Sequence, residues 1–347
     1  MKTPFTAAVE TVLRSLRVCP FLKKIVTPAF RRDSRMRPDE IKDDAEGDKD
    51  VSPIPADSAR PEESIPPVPT SNRLEVISLD ENDDVNESED DEFDDDSPEF
   101  DEDDDGVRTV LITGASGNIG QKLRKAWEEV YDLVLIDHRP DPTEPDIILA
   151  DLTELEQSWI ESFHGVDTVI HLAGNPDEFA TWEELEGPNL DAMSNVFQAC
   201  ALAGVERVIF ASSNHVMGGY RALDMKITEA LPPKPDGPYG ATKLMGERLG
   251  RSLSRSFDIT FIALRLGWNQ TGENIPDSLP DDWSRSLWLS NTDLVRLFER
   301  AIEAELGDEL FLVANGMSHN VGMRWDIAAA AEKLGYSPVD DAYAEEL

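Results

Sequence analysis

The sequence predicts an α/β fold, a doubly wound parallel sheet, and three features of residues 107–347 carry that expectation. Short apolar runs alternate with helix-like amphipathic segments, a glycine-rich turn follows the first run, and Asp137 closes the second. Residues 109–112 (TVLI) form the first run, and 133–136 the second. Residues 147–150, 168–171, 207–211 and 260–264 read as further buried strands. Short continuous apolar runs suit parallel strands covered on both faces, and right-handed crossovers then put a ligand at their carboxyl ends. About 241 residues make one domain, and little chain follows the sixth run, so any substrate-binding part after it is small.

The 347 residues carry a net charge of −39, distributed unevenly. Residues 1–37 carry +7, residues 38–106 carry −25 and the remainder −21. So acidic a chain is repelled by phosphate backbones, which excludes nucleic acid as a general partner. No apolar run approaches the ~18 residues that span a bilayer. Two cysteines, Cys19 and Cys200, make neither a disulfide framework nor a zinc site, and no metal is expected. Within residues 81–105, 17 of 25 side chains are acidic and only Val85, Phe93 and Phe100 are apolar. Together with the proline-rich stretch before it, this predicts a disordered leader over 38–106, either a solvated linker or a docking tail for a basic partner. In residues 1–37, Phe5, Val9, Val12, Leu13 and Leu16 share one helical face beside Arg14 and Arg17. A cleaved transit peptide, a membrane-surface helix and a structureless extension all remain open there. The compartment is accordingly cytoplasmic, or an organelle matrix or stroma if the segment is a transit peptide.

Gly114, Gly117 and Gly120 follow the first strand and open a helix. Glycine permits the tight turn, lets backbone approach a pyrophosphate, and leaves the phosphates at the helix N-terminus. Asp137, 17 residues beyond Gly120, is placed to accept hydrogen bonds from both ribose hydroxyls of NAD and to repel the 2′-phosphate of NADP. NAD is therefore expected over NADP, although Arg139 nearby leaves some tolerance. An ordinary strand-end turn is the other reading of Asp137. Asp151, beside Leu152, reads equally as a contact to the adenine amino group and as a helix N-cap.

Tyr239-Gly240-Ala241-Thr242-Lys243 puts a phenol and an ammonium on one helical face, with Pro238 at the helix start. A nearby ammonium is expected to lower the tyrosine pKa, making a base for a carbinol proton. Ser213 lies 26 residues earlier, in Phe210-Ala211-Ser212-Ser213-Asn214-His215 at a strand's carboxyl end, where it can bond the reacting oxygen.

With these motifs in place, the chain from Val107 onward resembles an extended short-chain dehydrogenase/reductase of the NAD-dependent epimerase/dehydratase superfamily. It is most similar there to uronate dehydrogenases and related sugar dehydrogenases. The resemblance rests on residues 113–120, Asp137, Ala150-Asp151-Leu152, His171-Leu172-Ala173-Gly174, residues 210–215, Tyr239 with Lys243, and Arg265-Leu266-Gly267. It implies a Rossmann-type sheet and NAD held by Gly114, Ser116, Gly117, Asn118, Ile119, Gly120, Asp137, Asp151, Leu152, Ala173, Gly174, Tyr239 and Lys243. It further implies that Tyr239 takes the proton of a sugar carbinol while hydride passes to the nicotinamide. Ser213 would orient the substrate oxygen, Asn214 and His215 would contact other hydroxyls, and His171 reads as scaffold. The resemblance also implies a homodimer formed through the helix bearing Tyr239 and its neighbour.

Three departures from uronate dehydrogenases stand out. Pro176 and Trp268 occupy positions where those enzymes carry serines, and Arg285 precedes Trp288 at a different spacing from their carboxylate-binding arginine. Arg285 reads as that cation or as a surface charge beside Asp281 and Asp282. Two other functions compete with the sugar dehydrogenase: a nucleotide-sugar epimerase or dehydratase, and a non-catalytic NAD-sensing scaffold.

Overall fold

The first strand, β1 (Thr109–Thr113), is apolar at three successive positions, and all three side chains are fully buried. Alternation sends Val110 and Ile112 to one face of the sheet and Leu111 to the other. The same sorting recurs in β5 (Arg207–Ser213), where Val208 and Phe210 share one face and Ile209 and Ala211 the other. These strands belong to a computed structural model that describes residues 106–344. The expectations for residues 1–37 and for the acidic leader lie outside the described residues, apart from Gly106.

Seven parallel strands form one sheet in the order β3-β2-β1-β4-β5-β6-β7. The others are β2 (Asp132–Asp137), β3 (Ile148–Leu149), β4 (Thr168–His171), β6 (Thr260–Leu266) and β7 (Phe311–Gly316). The chain winds outward from β1 to β3, then returns to lay β4 on the opposite side of β1. That reversal opens the ligand crevice above β1 and β4.

Helices α1 (Asn118–Trp127) and α7 (Asn291–Glu303) cover one face, with Leu123, Trp127, Leu294, Leu297 and Phe298 buried against it. The short α2 (Gln157–Ile160), α4 (Ala192–Ala203) and α5 (Pro238–Phe257) cover the other, with Trp159, Val196, Phe197 and Leu253 buried there. Each large apolar side chain withdrawn from water contributes about 1.5–3 kcal/mol, so the double-sided core dominates stability. Helix α5 packs unusually close to the sheet. A Cβ on Gly246 would stand 2.4 Å from Phe210, and one on Gly250 would stand 2.1 Å from Phe261.

The sequence reading differs from the structure at three places. It omits β7, whose FLVANG stretch ends in polar and glycine residues that blur the apolar signal; Asn315 is nevertheless fully buried there. It makes β3 longer than its two paired residues, and it ends β5 and β6 two residues early. The small C-terminal part is present as expected. It includes helix α6 (Asp282–Ser286) and α8 (Ala328–Leu334), the latter burying Ala330 and Leu334 in the same core as α7. Val216, Met217, Ile227, Leu287, Met317 and Trp325 make a separate apolar cluster.

Candidate active site

The turn between β1 and α1 is fixed by backbone hydrogen bonds. Gly114 N–H donates to the Ile136 carbonyl at 2.8 Å and Gly117 N–H to the Gly114 carbonyl at 3.0 Å. Gly114 sits at φ 76°, and a Cβ there would stand 2.8 Å from Ala173 N. A Cβ on Gly120 would stand 2.4 Å from the Gly114 oxygen. No side chain can enter this concavity, so it is open to a phosphate at the start of α1. Ser116 N–H donates to Asp137 Oδ2 and Arg139 N–H to Oδ1, both at 2.9 Å. Asp137 is thus pinned and buried at the end of β2, where Oδ1 also faces His138 Nδ1 at 3.3 Å and Oδ2 keeps a lone pair free of these contacts. Ile119 is half-buried in the first turn of α1. Asn118 donates to the Asn269 oxygens, and Lys122 to Asn269 Oδ1 at 2.7 Å, tying the loop after β6 to this helix. Burial lowers Lys122 to about 8.

Asp151 is not a helix N-cap. Its Oδ1 accepts from Thr153 N–H and Thr153 Oγ1–H at 3.0 and 2.7 Å, closing a side-chain turn whose bonds hold its carboxyl below the usual range. The following helix starts only at Gln157. Leu152 is buried beneath it. Ala173 and Gly174 lie after β4, against the glycine turn, and Ala173 N–H donates to Thr113 Oγ1 at 3.3 Å.

The strand–helix arrangement brings Ser213, the last residue of β5, to Tyr239 in the first turn of α5 and to Lys243 one turn on. The Ser213 Oγ accepts from His215 N–H at 3.2 Å, and its hydroxyl acts to hold the Tyr239 phenol pKa down. Lys243 Nζ stands 5.6 Å from the Tyr239 ring centre and 5.2 Å from that of Phe210. A Cβ on Gly240 would stand 2.4 Å from the His215 carbonyl, so glycine lets α5 enter this tightly. Contrary to the expectation from sequence, Tyr239 is not lowered. Burial lifts it to about 12, Ser213 opposes that, and the charge of Glu178 adds to it. Burial also lowers Lys243 to about 8, because desolvation disfavours the ammonium. His171 is buried and neutral: desolvation, then the charge of Lys243, lowers it to about 3. Its Nδ1 meets Thr113 Oγ1 at 2.8 Å and its ring stacks on Phe210, as befits a scaffold residue.

On the substrate side, Asn214 Nδ2 donates to the Leu266 carbonyl at 3.1 Å, joining the ends of β5 and β6. The His215 ring stands edge-on to Tyr239 with centres 5.6 Å apart. Its Nε2 is 2.6 Å from Glu178 and its Nδ1 3.0 Å from Asp236. Desolvation opposes its protonation, but those two carboxylates prevail and raise its pKa. Trp268 is partly exposed where Gly267 passes Leu287 too closely for any Cβ. Arg285 lies on α6, 3.7 Å from Asp277 and facing the ring of Tyr343. Among the described residues, no cluster of His, Cys, Asp and Glu is placed to hold a metal ion.

The model of the NAD dependent epimerase/dehydratase family matches residues 110–280. L-arabinose 1-dehydrogenase of Haloferax volcanii is 31% identical over 249 residues, 67% of this chain and 97% of that protein. The chain belongs to the NAD-dependent epimerase/dehydratase family. A second member, uronate dehydrogenase of Pseudomonas putida, is 34% identical over 67% of this chain and 84% of its own. A solved uronate dehydrogenase mutant from Agrobacterium tumefaciens, complexed with NAD, superposes with a TM-score of 0.60. It is 29% identical over 70% of this chain and 88% of its own. This member of the family is an NAD-dependent oxidoreductase, and its glycine turn and pinned Asp137 fit that cofactor.

Sequence reasoning missed several residues that pack around these groups. Asn189 is buried in a π-helical turn, accepting from Asn175 N–H at 2.7 Å and returning a bond to the Asn175 carbonyl at 3.1 Å. It thereby fixes the loop carrying Ala173 and Gly174. Glu247 is buried, bonds Ser212 Oγ at 2.7 Å and pairs through both oxygens with Arg265 at 2.8 Å. Its position two turns after Tyr239 was the available signal. Glu178 and Asp236 stand far from His215 in sequence, and no spacing rule connects them.

Proposed function

We propose that residues 107–347 are the catalytic part of a dehydrogenase that oxidises a sugar or sugar-acid carbinol, at C1 for an aldose. The observation that carries this reading is the convergence of Ser213 at the end of β5 with Tyr239 and buried Lys243 in the first turns of α5, at the strand ends that also carry the glycine turn. NAD, when bound, supplies the hydride acceptor. Gly114, Gly117 and Gly120 would receive its phosphates and Asp137 a ribose. Ser213, at the end of β5 beside the start of α5, would share one substrate oxygen with the Tyr239 phenol. Tyr239 Oη then takes the carbinol proton as the carbon loses hydride. Lys243, with its Nζ 5.6 Å from the Tyr239 ring centre, would favour the phenolate when charged, while burial works against it. Oxidation therefore gains rate as the pH rises toward the tyrosine pKa.

The relatives' names support the substrate class, one acting on L-arabinose and another on a uronate. The test is NADH absorbance from the full chain with NAD and a panel of free aldoses and uronic acids. NADH that disappears in Tyr239→Phe supports the reading; no NADH from any sugar, with NAD still bound, overturns it.

A homodimer accompanies the same reading. Exposed Met245 and Leu249, one turn apart on α5, support it, as does exposed Trp182 at the start of the adjoining α3 (Trp182–Leu185). Sedimentation at micromolar concentration gives a dimer mass if so. No described helix is long and apolar enough to cross a membrane. The reaction needs a compartment that holds NAD, and cytoplasm or an organelle matrix both satisfy that.

A further inference from the structure

Resting on the sugar-oxidising reading above, we propose that Glu178 binds the sugar's hydroxyls, with His215 and Asp236 as the struts that hold its carboxylate in place. His215 has carboxylates on both ring nitrogens, Glu178 on Nε2 at 2.6 Å and Asp236 on Nδ1 at 3.0 Å. A carboxylate only accepts, so each ring nitrogen must donate and the ring is an imidazolium. No N–H then remains for a substrate, which removes His215 as the direct sugar ligand. The group it presents is Glu178.

Glu178 fits that role on two counts. Its side chain is 41% exposed, so one carboxylate oxygen meets His215 while lone pairs remain to accept from hydroxyls. It is held on the His215 ring, whose centre stands 5.6 Å from that of Tyr239, which places it near the reacting carbinol.

The charges facing this point are Glu178, Asp236 and His215, with Lys243 behind Tyr239. One excess negative charge stands on the His215 clamp. The ligand class is therefore the neutral, hydroxyl-bearing face of an aldose, because an anionic substituent at that contact would meet repulsion. Charge-assisted hydrogen bonds of this kind are the strong ones, and losing one weakens binding about tenfold or more.

The experiment measures steady-state kinetics of the full chain and Glu178→Gln with the best aldose and its monodeoxy analogues, alongside NAD affinity and thermal midpoint. The expected result is a KM rise of about 10-fold in Glu178→Gln with kcat within about 3-fold. One deoxy sugar should bind wild type about 10-fold more weakly and yet be indifferent to the substitution. Asp236→Asn should raise KM by about 3-fold without changing kcat, since it loosens the strut alone. KM values of Glu178→Gln within twofold of wild type for every sugar would overturn the assignment while leaving the dehydrogenase standing. Wild type that makes no NADH from any sugar would overturn the underlying reading, and this assignment with it.

Discussion

The cofactor side and the sugar side of the crevice are built by different means. Above β1 and β2 the surface is backbone: Gly114 and Gly120 admit no Cβ, and Asp137 is pinned by two main-chain N–H groups. Above β5 and β6 it is side chain meeting side chain, with His215 clamped by Glu178 from 37 residues upstream and Asp236 from 21 residues downstream. A site made of backbone depends on local spacing and suits one ligand. A site made of distant side chains can be refitted for another sugar without disturbing the fold.

The widest separation of the two sides is expected from Tyr239→Phe. Removing the phenol oxygen should lower kcat by about 10³-fold, within the usual span of acid/base losses, while NAD affinity changes less than about twofold. Stopped-flow NADH formation and fluorescence titration read the two quantities. A parallel fall in NAD affinity would break the division.

Gly120→Ala attacks the backbone side. The added Cβ would press on the Gly114 carbonyl and Ala115 at under 3 Å, with no flexible side chain to yield. Overpacking of that kind costs about 1–3 kcal/mol. NAD affinity should fall by about 10-fold or more, and the thermal midpoint with it. Asp137→Asn is milder: NAD should bind about 10-fold more weakly, and the preference for NAD over NADP should shrink. Parallel titrations with the two dinucleotides check it, and unchanged discrimination would remove Asp137 from the ribose site.

The smallest effect concerns pH and belongs to neither side. His171 ionises at about 3 in the folded chain against 6.5 ordinarily, because burial and Lys243 disfavour its charge. Below pH 6.5 the unfolded chain takes up a proton that the folded chain refuses. Stability is therefore intact above pH 6.5 and falls as pH drops toward 3, by at most about 1.4 kcal/mol per unit from this residue. Chemical unfolding at pH 7, 6 and 5 should show that slope in wild type, with less in His171→Gln.

The same contrast explains what the sequence disclosed. The glycine turn, Asp137, and the order of Ser213, Tyr239 and Lys243 are legible because each is a local pattern carried on one strand or helix. The tyrosine pKa went the other way from expectation because spacing reveals the nearby ammonium but not the depth of burial. Asp151 was ambiguous for a similar reason: strand-end aspartates cap helices and close turns alike, and Thr153 two residues on decided it. β7 and the Glu178–His215–Asp236 clamp escaped altogether. The strand's apolar signal is cut short by Asn315 and Gly316, and the clamp is assembled only once three separate loops converge.

The most direct test of the central claim follows the hydrogen itself. The full chain would be given NAD and an aldose deuterated at C1, and the mass of the reduced cofactor read after one turnover. The account predicts reduced NAD one mass unit heavier, formed by wild type and not by Tyr239→Phe. Reduced cofactor without the label, or an isomerised sugar with no net reduced cofactor, would contradict it.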